Sequence, residues 1–470
     1  MSTAACPRCG PQVRLQPHPR PHRQQAPQQP PKQQRGVTTL VVTLVLLLAL
    51  ALLTGQAHRG LMMEQRSSAN QLHATQAFEA AEAGLAWAQA QLNHAGGVNS
   101  ACQPNTRDSA QADNGNFSDR MLSWQAPGQG KPQTQTQTQA PGLHVRTRVE
   151  GGTTRPLRAA CAAQADGGWR CDCPDQAEPT WPAPADTIAR PGFIVQFSDG
   201  PVRGTLRLSV TGCHEASTHC SPEQPPAGES RAELSLLLGL VPALLRAPAA
   251  PLTTRQDIQA GTAALGLHNT QPQAGGLLAH AGGDIQADGA RLDTVAGEPG
   301  ALALAAHDTT LAALAPDALF ITHFGLDRAR WVHQPAVRSL PCAVDCSAAL
   351  SQAVANGDTL IHLQGDAQLQ GPLSLGTAER PLLLVVDGSA HLAGGVQLQG
   401  LLYAREIQWQ TGPGPGPGLV RGALISEGGY GGTGAPDLVW DRAVLDMLRG
   451  RWGTWAPVPG GWSDLKGVTP

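Results

Sequence analysis

Cysteine is the residue in this chain whose spacing constrains chemistry most, because a thiol can act as nucleophile, metal ligand or disulfide partner. Of the ten cysteines, Cys6 and Cys9 form a C-x-x-C near the start, with no second ligand pair to complete a zinc site. The other eight, Cys102, Cys161, Cys171, Cys173, Cys213, Cys220, Cys342 and Cys346, all follow a long apolar run. An even set on the exported side of a membrane implies disulfides. Proximity favours Cys213 with Cys220 and Cys342 with Cys346, each closing a short loop. Cys171 and Cys173 are too close to bridge each other easily, so they are expected to reach back towards Cys102 and Cys161.

Other reactive side chains form no recognisable catalytic pattern. Asp257, Asp284, Asp366 and Asp387 recur at turns, where Asp bonds nearby backbone. A polysaccharide lyase or hydrolase would instead need its carboxylates clustered on one face. His280, His307, His323, His333, His362 and His391 fall in no H-E-x-x-H or other metal spacing. There is no G-x-S-x-G and no phosphate loop. The chain is therefore expected to be no enzyme and to need no cofactor or metal. A net charge of −3, more acidic once the basic leader is removed, gives nucleic acid no electrostatic footprint.

The elements that would position these residues begin with an apolar helix. Arg8, Arg14, Arg20, Arg23, Lys32 and Arg35 precede Gly36, with no acid among them. From Val37 to Ala57 the chain can span a hydrocarbon core of about 30 Å, and the basic leader places its amino-terminal side in the cytoplasm. Signal-peptidase cleavage would need a shorter apolar region ending in small residues. The helix continues to Asn93, with Leu61, Gln65, Ala69, Leu72, Gln76, Phe78, Ala81, Leu85, Ala88 and Leu92 returning to one face.

Past the helix, residues 95–142 are rich in Gly, Asn and Gln and read as a linker. Strand signals follow in LHVRTRVE, FIVQF and TLRLSVTGC. Residues 232–245, AELSLLLGLVPALL, read as a short buried helix, too short to span. Beyond them DIQAG at Asp257, DIQADG at Asp284, DAQLQG at Asp366 and SAHLAGG at Ser389 repeat at intervals of 27 and 23 residues. Such spacing suits one coil of a β-solenoid; an irregular β-sandwich is the alternative. Trp440, Trp452, Trp455 and Trp462 suggest a cap on the last rung, or a sugar-stacking platform. The expected fold class is α+β: a leader over 1–36, a transmembrane helix over 37–93 (span 37–57), a cysteine-containing β head over 94–250, a β-solenoid-like domain over 251–440 and a cap over 441–470.

A basic leader ending in Gly36, followed by one long helix that is greasy only at its start, resembles a type IV prepilin. More narrowly it resembles the N-terminal region of the PilX family of pilus assembly proteins. PAAPLTTRQDIQAGTAALGLHNT, ALFITHFGLDRARW, the Cys342 and Cys346 pair and the ending VLDMLRG…PVPGGWSDLKG are similar to the C-terminal halves of that family. The resemblance implies cleavage after Gly36 by the prepilin peptidase and methylation of Val37. Where the family usually carries a glutamate and a leading phenylalanine, this chain has Val41 and Val37, which favours a minor or tip subunit over a stacking major pilin. Implied partners are other minor and major pilins, the peptidase and the inner membrane, with the bulk of the chain in the periplasm or on the extracellular pilus. The alternatives are a type II secretion pseudopilin, a pilus-borne adhesin and an anchored envelope protein acting on polysaccharide.

Overall fold

The computed structural model describes residues 37–104, 115–125, 142–150, 152–173, 181, 190–217, 220, 230–342, 344–412 and 416–464. Two compact units divide between Ser67 and Ser68, inside helix α1 (Val37–Leu92). In the first unit, α1 exposes its leucines and valines from Leu40 to Leu53. No proline interrupts it, and the hydroxyls of Thr43 and Thr54 donate to carbonyls one turn back, at Thr39 and Leu50. Polar groups in an apolar stretch are thus satisfied within the helix.

In the second unit the closing turns of α1 lie on an antiparallel sheet of six strands. Its order is Gly453–Ser463, Arg231–Pro242, Thr205–Cys213, Gly192–Asp199, Arg158–Ala163 and Trp169–Asp172. Ala77, Ala80, Ala81, Leu85, Ala88 and Leu92 are buried, and four of them join Phe193, Val195, Leu208 and Val210 in one core. Small residues let helix and sheet approach closely: a Cβ on Gly212 would lie 2.2 Å from the Ala77 carbonyl oxygen. The anticipated helical face is right from Ala81 onwards, whereas Leu61, Leu72 and Phe78 are exposed. Helix α2 (Phe117–Met121) closes the end of this core, with Asn116 as its N-cap.

Two expectations are corrected here. Residues 232–245 lie largely in a strand, Arg231–Pro242, because both flanks of that strand are paired, so its apolar run needs no helical period. The terminal segment, expected to cap the last rung, instead supplies strand Gly453–Ser463 beside it, and Trp455 is buried in the antiparallel core.

Residues 252–439 hold a curled parallel sheet of sixteen strands. Three ladders form it. The first stacks 338–341, 360–364, 382–386, 400–404, 422–426, 252–254, 279–281 and 304–305. A second runs through 367–370, 390–393, 407–410, 430–431, 258–259 and 285–286, and the third through 373–375, 396–398, 419–421, 437–439, 266–268 and 291–293. Inward leucines, isoleucines, valines and alanines from all three enclose one core. The anticipated repeats stack in register, Ile258 on Ile285 and Ala367 on Ala390.

The ladders do not follow chain order. The chain enters in the middle at Leu252, builds outward to Ala305, and crosses to the far end through α3 (Thr309–Ala313), α4 (Pro316–Phe324) and α5 (Arg328–Val332). It then builds back until 422–426 meets 252–254. Helix α6 (Ser347–Ala355) packs Leu350 and Ala353 into the inner core. Helices α4, α5 and α7 (Arg442–Gly450) cover the outer side of the first ladder, where Phe320, Phe324, Trp331, Leu445 and Leu448 meet Leu383, Val385, Leu401 and Tyr403.

Candidate functional site

Three features of the chain could carry function: the exposed apolar start of α1, the four disulfides, and a charged column along one edge of the first ladder. Gly36 lies outside the described residues, as do Cys6 and Cys9. Val37 opens α1. Val41 is exposed among the leucines, so the start of the helix offers an uncharged surface for lipid or for another helix. Among the described helices this is the one long and apolar enough to cross a membrane.

The eight remaining cysteines come together in four pairs. Cys161 faces Cys171 across adjacent antiparallel strands. Cys102, in the turn after α1, is bonded to Cys173, next to a backbone bond from Cys173 N to the Ser100 carbonyl of 2.6 Å. Cys213 is bonded to Cys220 and Cys342 to Cys346. Three bridges therefore brace the antiparallel half, while the fourth fixes the turn leading into α6. Shortening the loops available to the unfolded chain stabilises each closure.

The turn aspartates serve the stacking of layers. Asp257 Oδ1 accepts from the Asp284 amide at 2.9 Å, and Asp366 Oδ1 from the Ser389 amide at 2.8 Å. Each therefore bonds the next layer rather than its own turn. The histidines are mostly partnered by carboxylates: His280 Nε2 lies 2.7 Å from Asp308, His307 3.2 Å from Asp284, and His268 Nε2 3.1 Å from Asp437. His323 is buried and gives Nδ1–H to the Arg246 carbonyl at 2.9 Å. Loss of hydration holds its pKa below the usual histidine range. Among the described residues, His333 and His391 have no carboxylate within ion-pair distance.

The charged column is a cluster that motif reading missed. Successive layers end in Asp387, Arg405, Glu427 and Arg255, one residue past the registered pairs Val386 with Ala404, Ala404 with Ser426 and Ser426 with Thr254. Alternating sign avoids stacking like charges one strand spacing apart. Arg328, at the start of α5, enters this column and pairs with both Asp387 (3.3 Å) and Glu427. Its guanidinium sits 5.0 Å over the Phe320 ring. Glu427 is buried and also accepts from the Tyr403 hydroxyl at 3.0 Å; burial and that carboxylate push the phenol pKa far up. Asp387 Oδ2 lies 2.9 Å from His362 Nε2, and His362 Nδ1 lies 3.1 Å from Ser339 Oγ. The signal was present as VVD, YAR, ISE and TTR: a charge of alternating sign after two uncharged residues in each layer.

Among the described residues no group of three or more His, Cys, Asp or Glu is placed to hold a metal ion. No curated protein and no solved structure matches the chain. Residues 35–86 match the family model for the PilX N-terminal domain, a range that covers the exposed apolar start of α1 and most of the turns that dock on the antiparallel sheet. Residues 35–86 thus carry a PilX N-terminal domain, which supports assigning the chain to the PilX-type pilins of type IV pili.

Proposed function

We propose that the chain is a minor pilin that takes part in type IV pilus assembly by packing α1 against other pilin helices, a structural and non-enzymatic role. The observation that carries this reading is α1 itself. Its first part is uncharged and exposed from Leu40 to Leu53, and its last turns are built into a disulfide-braced head. An exposed leucine and valine surface of that length needs lipid or protein around it.

In this reading α1 crosses the inner membrane once, with the leader in the cytoplasm and the head in the periplasm. The prepilin peptidase cuts after Gly36 and Val37 becomes the methylated amino terminus. Partners are other minor and major pilins. A valine at position 41 supplies no carboxylate for a neighbour's amine inside an apolar bundle, where an unpaired charge would be costly. That suits a subunit used at one place in the assembly rather than along a shaft. The curled parallel sheet is read as a β-solenoid, a bulky addition more easily housed at a tip.

The test is mass spectrometry of the amino-terminal peptide from membranes and from sheared surface fibres, in cells with and without the prepilin peptidase. Methyl-Val37 in the fibre fraction, lost without the peptidase, is the expected result. An intact leader, or cleavage near Ala57, would sink the reading.

A further inference from the structure

The charged column opens on a cleft of about 680 Å³ between the starts of α4 and α5 and the layer ends that carry Arg405, Glu427 and Arg255. That size lies within the range of about 300–1,000 Å³ usual for ligand sites. What the cleft presents follows from where Arg328 goes. The register places Arg405 between Asp387 and Glu427, the two carboxylates it would pair with in an alternating stack. Arg328 takes both of them. Arg405 is exposed and has no ion pair among the described residues. One layer to the other side of Glu427, Arg255 gives its Nε to the Glu427 carbonyl at 2.6 Å, and its terminal nitrogens have no ion pair among the described residues. Two guanidinium groups thus rise from layers about 10 Å apart, two strand spacings.

Negative charge lines both sides of the cleft as well. Asp317, in the first turn of α4, and Glu406, beside Arg405, both line the cleft and are exposed. Neither has an ion pair among the described residues. A ligand of a single sign would satisfy one set of charges and strip water from the other without replacing it, which costs free energy. A ligand carrying both signs satisfies the two sets together.

We infer that this cleft binds a short segment of another protein that carries a basic and an acidic side chain, with the acid on Arg405 and Arg255 and the base on Asp317 and Glu406. The inference concerns the head alone and stands apart from the role given to α1. Asp387, Glu427 and Arg328 act here as positioning residues: their mutual pairing leaves Arg405 available.

The experiment uses the full chain in detergent micelles and fluorescence anisotropy with four labelled, end-blocked pentapeptides: lysine with glutamate, lysine only, glutamate only, and serine only, each spaced by glycine. The lysine–glutamate peptide should bind about tenfold more tightly than any other, a difference of about 1.4 kcal/mol, and more weakly as salt rises. Arg405→Gln and Asp317→Asn, both at exposed positions, should each weaken it about tenfold while leaving the melting temperature unchanged. Equal or tighter binding of a single-sign peptide, affinity indifferent to both substitutions, or no binding of any peptide overturns the inference.

Discussion

Tyr430 and His323 show how individual buried groups set the pH range of the head. The Tyr430 hydroxyl is buried with no hydrogen-bond partner among the described residues, and burial drives its pKa well above 10. Above pH 10 the unfolded chain releases this proton while the folded chain keeps it, so stability falls as pH rises. Tyr430→Phe removes both the unsatisfied group and the titration. We predict a gain of about 1 kcal/mol at neutral pH and a shallower alkaline loss, measured by urea unfolding across that range. His323 works at the other end. Its folded pKa is depressed below 6.5 by lost hydration, with the charges of Arg246 and His280 adding to the effect against its hydrogen bond. The unfolded chain therefore binds more protons once pH drops through 6.5, and stability declines from there down to the folded pKa. Glutamine can keep the donor to the Arg246 carbonyl without titrating. His323→Gln should flatten the fall in melting temperature as pH drops below 6.5; an unchanged slope would place the acid sensitivity elsewhere.

At the scale of elements, the parallel layers depend on turns that leave room for a carboxylate. A Cβ on Gly388 would sit 2.1 Å from Asp366 Oδ1 and 2.8 Å from its backbone nitrogen. Gly388→Ala is thus predicted to cost about 2 kcal/mol or more, against about 1 for Asp366→Ala, which loses the bond to Ser389. The double substitution should cost less than the sum, since the side-chain clash is gone; additive losses in chemical denaturation would contradict a shared turn. This stacking was legible in the sequence because DIQAG, DIQADG, DAQLQG and SAHLAGG put apolar residues two apart before a glycine. Strands such as FIVQF were legible by the same alternation. Strand Arg231–Pro242 was not: its LSLLLGL run puts leucines on both faces, which hides the period of two, although only Leu234 and Leu238 are buried. Nor was the charged column visible to a motif search, since its members come from four separate layers and gain meaning only when stacked. Equally hidden was the order of layers, because the docking of 422–426 on 252–254 joins segments about 170 residues apart.

For the whole head, a single carboxylate joins the antiparallel half to the parallel half. Asp119, in α2, is 13% exposed and pairs with Arg380, from a turn of the parallel sheet, at 3.3 Å, and with Arg451, just after α7. Arg451 also lies over the Trp452 ring, and Trp452 belongs to the core outside the first ladder. Nearby, the amide of Asn93 bonds both ways to the Trp455 backbone, at 3.0 and 2.7 Å, so the residue after α1 is tied to the last strand. The chain thus closes on itself: its final strand completes the sheet on which α1 rests. Removing the Asp119 carboxylate leaves two partly buried guanidinium groups facing each other. Asp119→Ala should therefore cost about 2–3 kcal/mol. Its signature should be loss of coupling rather than general weakening, because neither core loses apolar contact. Hydrogen exchange should speed up in α2 and at Arg380 and Arg451 while the strands of both cores stay protected. A uniform rise in exchange across both sheets would mean that the halves fold as one unit, with Asp119 only one contact among many.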